Sequence, residues 1–141
     1  KIFSSKDPSY LDMRSPCGAG CGQLAYYYDG SVYSCDEARM LGDDSFRLGN
    51  VDSNSYQELM QSKQMKTLVF ASCIDGLYCD YCVYKPYCGV CPVFNWKECS
   101  SIYAQAKSSF MCKVYQGMFD YIFSILQDKE KSKIIKSWIN N

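Results

Sequence analysis

Hydrophobic and polar positions along the chain change period from one stretch to the next. Between Gly22 and Glu37, Leu24, Tyr26 and Tyr28 alternate with other residues, Asp29-Gly30 follows, and Val32 and Ser34 resume the alternation. A period of two interrupted by Asp-Gly predicts an antiparallel hairpin, because glycine accepts the positive φ of a two-residue turn. Residues 38–54 hold Gly42, Gly49 and several aspartates and read as loop. Ser55 with Glu58 makes a capping box, in which each side chain serves the other's backbone N–H, so a helix is predicted from Tyr56 to about Ala71.

Residues 72–94 are crowded with Cys, Tyr and Gly and show no period. They have no face to bury, so a metal or disulfides must organise them. From Ser109 a helical pattern starts: Met111, Tyr115, Met118, Ile122 and Ile125 fall on one stripe, which Phe119, Phe123 and Leu126 widen. Core packing is the ordinary reading of such a stripe. After Asp128, four lysines and one glutamate surround Ile134, Ile135, Trp138 and Ile139, a basic amphipathic helix expected to dock on its own domain or a further one rather than on a membrane. The expected division is an irregular lead-in over 1–16, a metal-organised domain over 17–127 and the tail helix over 128–141. The expected fold class is α+β: one antiparallel hairpin, irregular cysteine-rich loops, and three or four helices.

The chain has 141 residues, 48% hydrophobic and 21% charged, which places it among globular domains rather than disordered segments. Fifteen basic residues balance fifteen acidic ones, so no electrostatic drive toward nucleic acid is expected. No apolar run approaches the roughly 18–20 residues of a membrane span. Histidine is absent, which excludes Ser-His-Asp and Cys-His catalysis and histidine-ligated zinc or haem. The chain begins at Lys1 rather than Met and is expected to be a fragment or a processed product.

Ten cysteines are the outlying feature. The dense part is Cys79-x2-Cys82-x5-Cys88-x2-Cys91. Cysteines two apart can aim both sulfurs at one inorganic centre from a tight turn, whereas a disulfide between them is strained. Zinc ribbons separate their pairs by about 15–20 residues, and here five intervene. Iron–sulfur clusters accept thiolates from scattered loops, and many cysteines without histidine suit two [4Fe-4S] clusters. Spacing thus favours iron–sulfur while leaving a structural zinc-binding interaction module and a secreted disulfide-rich domain open.

The order of motifs narrows this. Cys17 and Gly30 are followed by Cys35-Asp36 and Leu48-Gly49-Asn50-Val51, then by the four-cysteine block and Cys112. This resembles the SPASM domain, the auxiliary iron–sulfur domain of many radical SAM enzymes, whose pattern is C-x9-15-G-x4-C, a gap, C-x2-C-x5-C-x3-C, a gap, and C. Cys91 departs from it, with two preceding residues where the family has three. Within the family, CGAGCGQLAYYYDGSVYSCDEARM and CVYKPYCGVCPVFN look most like maturases of the His-Xaa-Ser system, which act on ribosomally made peptides. Cys17-x3-Cys21 begins a radical SAM core motif, but Leu24 stands where its third cysteine should be. S-adenosylmethionine would therefore bind only in a core domain outside this chain, fused or separate.

The resemblance implies two clusters with interleaved ligands. Cys17, Cys35 and Cys91 would hold the first; Cys79, Cys82, Cys88 and Cys112 the second. The first lacks a fourth ligand, for which Cys21 is the nearest candidate, Cys73 the next, and an open iron the third. Cys112 is preferred to Cys99 by its distance from Cys91 and its place in the first turn of a helix, where the dipole favours an anion. Asp36 matches a position proposed as proton acceptor in the sulfatase-maturating relatives; a solvated or hairpin-capping carboxylate is the ordinary reading. Tyr81, Tyr84, Tyr87 and Phe94 would shield the clusters from water, and Lys85 would offset their charge. The implied function is electron transfer or peptide-substrate binding beside a radical SAM core, in the cytoplasm, where thiolates persist.

Overall fold

The computed structural model of the chain describes residues 2, 17–73, 79–89, 91–103 and 109–139. Apart from Ile2, the lead-in expected over 1–16 lies outside them. The fold is α+β, as expected, but the sheet has three antiparallel strands rather than two: β1 (Ala25–Tyr26), β2 (Ser31–Tyr33) and β3 (Arg47–Asn50), in the order β1-β2-β3.

The predicted hairpin forms around Asp29-Gly30. Gly30 sits at φ 80°, and Asp29 Oδ1 accepts the Ser31 N–H at 2.9 Å, closing the turn. Its faces differ from the simplest reading of the alternation. Ala25 points inward, whereas Tyr26 and Tyr28 face solvent. The central strand β2 is buried along its whole length, with Val32 fully enclosed.

The stretch read as loop, 38–54, is mostly structured. It completes α1 (Asp36–Leu41), a 3-10 turn over Asp44–Phe46, and β3. Cys35 caps α1, its Sγ accepting the Ala38 N–H at 3.4 Å, and Gly42 ends it in the left-handed region. β3 pairs with β2 through a register shift between Val32 and Tyr33, and Phe46 and Leu48 fill the core beneath.

The capping box forms, but the helix it opens is shorter than expected. α2 (Tyr56–Gln61) stops at Ser62, and α3 (Lys63–Cys73) restarts there, with Ser62 Oγ accepting the Met65 N–H at 3.1 Å. Ser62 ends one helix and caps the next, turning the chain so that Leu59, Met65 and Leu68 all reach the core. α4 (Pro92–Cys99) follows the cysteine block and begins with proline at its first position, where no N–H is missed. Val93 enters the same core.

α5 (Phe110–Gln127) and α6 (Lys129–Ile139) follow one another across Asp128, whose carboxylate accepts the N–H groups of Glu130 and Lys131. Core packing of the α5 stripe is only partial. Phe119 is buried; Tyr115, Ile122 and Ile125 are half-buried; and Met118 is exposed. The helix covers the cysteine segment rather than the sheet, so its apolar stripe meets a narrow strip of chain. On α6, Ile134 and Trp138 remain exposed.

Candidate metal centre

Three segments carry thiols to one cavity. Cys17 precedes a tight glycine turn, Cys35 follows β2, and Cys91 precedes α4. The turn is held against the hairpin end by Gly20, whose N–H donates to the Ser34 carbonyl at 2.8 Å, beside Cys35. Ala19 donates its N–H to Cys17 Sγ at 3.4 Å. With Gln23, Ser34 and Glu37, the three cysteines line a cavity backed by Leu68 and Val93.

A second cavity is bordered by Cys79, Cys88, Cys91 and Cys112. Cys82 is absent from its wall, yet lies close enough that its charge acts on Cys88 and on Cys112. Successive turns shape the segment: the Cys82 N–H donates to the Cys79 carbonyl and the Cys88 N–H to the Tyr84 carbonyl. Cys112 sits in the first turn of α5, its N–H donating to Ser109 Oγ at 3.2 Å. Gly89, Cys91, Phe94 and Tyr115 border both cavities, so the two adjoin.

As thiols these groups resist ionisation. Burial pushes Cys35 up to about 12, against the Ala38 N–H, which lowers it. Burial pushes Cys88 to about 11, helped by the charges of Cys79, Cys112 and Cys82. Cys91 is raised by burial, though the N–H groups of Phe94 and Val93 oppose this, and Cys112 is raised by burial and by Cys82. Sulfurs in such surroundings become anions when a cation shares the space.

One buried polar atom points the same way. Gln23 Nε2 is buried, finds no hydrogen-bond partner among the described residues, and belongs to a side chain on the wall of the first cavity. An amide donor left so costs about 1–3 kcal/mol unless something in the cavity accepts its proton.

A sequence model of the SPASM family, an iron–sulfur cluster-binding domain, matches residues 17–92. The chain belongs to the SPASM family. No curated protein and no solved structure matches it.

The donors of this SPASM domain fit an iron–sulfur group. Thiols line two adjoining walls, and the orphaned Gln23 amide would find acceptors in inorganic sulfide. Among the described residues no three Cys, Asp or Glu side chains stand close enough to share a single ion. Thiolates on one zinc gather about 2.3 Å from it, whereas a cluster spreads its ligands over separate irons. Among the described residues no disulfide joins two cysteines.

Other expected site residues fall in varied places. Cys21 is exposed and absent from both cavity walls. Cys73 ends α3, and its side chain lies outside the described residues. Cys99 is turned away, its Sγ donating to the Asn95 carbonyl at 3.0 Å. Asp36 is exposed and binds Arg39 Nη2 at 3.0 Å. Tyr84 and Tyr87 pack on Phe119 and Phe123, and Tyr84 donates to Asp120. Phe94 borders both cavities but is itself exposed, and Tyr81 is 92% exposed. Lys85 pairs with Asp80 at 3.1 Å. Gln23, Glu37 and the site position of Tyr115 were not legible from spacing. Glu37 would have been found had the helix start at Asp36 been read, since that turn aims a residue two past Cys35 at the same wall. Among the described residues no helix is long and apolar enough to cross a membrane.

Proposed function

We propose that the chain is the auxiliary-cluster module of a radical SAM enzyme that modifies a ribosomally made peptide, of the His-Xaa-Ser maturase type. In this reading the module spans residues 17–127, and its partners are a radical SAM core domain that binds S-adenosylmethionine, fused or separate, and the peptide. The observation that carries it is the pair of adjoining cavities, sulfur-lined from four remote stretches of chain. Cys17, Cys35 and Cys91 hold the first of two [4Fe-4S] clusters; Cys79, Cys82, Cys88 and Cys112 hold the second. When bound, each cluster supplies a one-electron store whose potential the protein sets.

The chain's own residues explain why two such stores would work together. Cys91 and Tyr115 border both cavities, so the two would sit side by side across one shared wall. Phe94 belongs to the same shared wall and adds an aromatic surface beside both cavities. The domain passes electrons to or from the radical centre, or holds the peptide near it, in a reducing compartment such as the cytoplasm. By itself it breaks no bond of S-adenosylmethionine. Asp36 is the candidate proton acceptor, and its pairing with Arg39 would have to open for that role.

The test is anaerobic preparation followed by metal and sulfide analysis. A brown protein with about eight iron and eight sulfide per chain is the expected result. A colourless protein carrying zinc, or one with neither metal nor free thiols, would overturn the reading.

A further inference from the structure

The first cavity offers three thiols to a group with four corners, and the structure supplies a fourth anionic donor. Glu37 is half-buried in the first turn of α1, two residues past Cys35. Among the described residues it is the only carboxylate on the wall shared by Cys17, Cys35 and Cys91. Among the described residues no ion pair is formed by it, although Lys97 borders an adjacent open hollow with it; Arg39, the nearest basic residue on its helix, is bound to Asp36 instead.

We propose that the Glu37 carboxylate is the fourth iron ligand of the cluster held by Cys17, Cys35 and Cys91. The inference rests on the iron–sulfur reading above and goes beyond it by naming a non-cysteine donor. Cys21 is exposed and off the wall, whereas Glu37 is already on it. One carboxylate oxygen bonds the fourth iron in place of a water, which leaves, and no electron moves. Oxygen is a harder donor than thiolate, so that iron is the exchangeable corner of the cluster.

The experiment uses the full chain, loaded anaerobically with iron and sulfide, as the parent and as Glu37→Gln, Glu37→Ala and Glu37→Cys. The Gln and Ala variants are expected to lose about one iron per chain and to show the magnetic signature of a three-iron cluster after mild oxidation, while Glu37→Cys keeps the parent iron content. In the parent, an isotopically labelled glutamate carboxylate carbon should show hyperfine coupling to the cluster that Glu37→Ala abolishes. The spectrum of the second cluster reports that each variant is folded. Parent-like iron and spectra in both Gln and Ala variants, or the same one-iron loss produced by Cys21→Ala or Cys73→Ala instead, would overturn the assignment. A parent that binds no iron, or a Cys17→Ala variant with unchanged iron, would overturn the underlying reading rather than this step.

Discussion

Trp96 Nε1 donates a hydrogen bond to Asp43 Oδ2 at 2.9 Å, joining α4 to the turn after α1 across 53 residues of sequence. The indole also meets Phe46 edge-on, ring centroids 6.1 Å apart. Cys35 lies at the start of α1 and Cys91 at the start of α4, so this contact braces the two helices that present two of the three first-cavity thiols. Trp96→Phe keeps most of the packing and removes the N–H. We expect a loss of about 1 kcal/mol in stability and faster release of iron from the first site, measured by urea unfolding and by chelator challenge.

The same carboxylate makes stability depend on pH. The Ser45 hydroxyl and N–H, then the Trp96 indole, hold Asp43 below its ordinary range. A group depressed in the folded state contributes stability that is present above the unfolded pKa and lost as pH falls through the folded one. The urea midpoint of the parent should therefore fall on acidification below about pH 4, and Asp43→Asn should fall less steeply over that window while starting lower at neutral pH. Equal slopes for the two proteins would remove Asp43 from the explanation.

Gly20 places the Cys17 turn against α3. It has φ 82°, and a Cβ there would stand 2.3 Å from Met65 Sδ. Gly20→Ala is expected to cost about 1–3 kcal/mol and to lower iron occupancy of the first site more than that of the second. Adding Met65→Ala should relieve the collision but not the left-handed backbone, so rescue is expected to be partial. Full recovery of stability in the double variant would mean that backbone strain is negligible.

What could be read from the sequence followed from how local each signal was. The Asp29-Gly30 turn and the Ser55–Glu58 box are contained within a few residues and both formed. β3 was missed because Arg47–Asn50 has one buried side chain, Leu48, and contains Gly and Asn, which disfavour strands in isolation; the free edge of β2 decides it. The break at Ser62 was missed because serine is tolerated inside helices, and only the side-chain bond to the Met65 N–H reveals the restart. At the site, spacing exposed the Cys79–Cys91 donors, while Gln23 and Glu37, though each lies within a few residues of a cysteine, owe their place on the wall to the tertiary packing of a turn and a helix start.

Cys99 and Cys112 provide a paired test of the second site. Cys112 borders the cavity, whereas Cys99 donates to the Asn95 carbonyl within its own helix, a bond that a serine hydroxyl can replace. Cys112→Ser is expected to lose about four iron per chain, and Cys99→Ser to retain the parent content. The reverse pattern would exchange their roles.

Removal of iron should loosen the molecule unevenly. The turns over residues 79–89 are held by a few backbone hydrogen bonds and by the stacking of Tyr84 and Tyr87 on α5, and contribute no residue to the central core. The sheet, α2 and α3 keep Val32, Phe46, Leu48, Leu59 and Leu68 packed whatever occupies the cavities. Anaerobic chelation is therefore expected to raise amide hydrogen exchange at Cys82, Tyr87 and Cys88 by about tenfold or more, with the Val32 amide changing least. Because Val93 anchors α4 in the core, Asn95 should exchange at an intermediate rate. Uniform deprotection of all these amides would instead mean that the clusters hold the sheet as well, and that burial of apolar side chains alone does not sustain it.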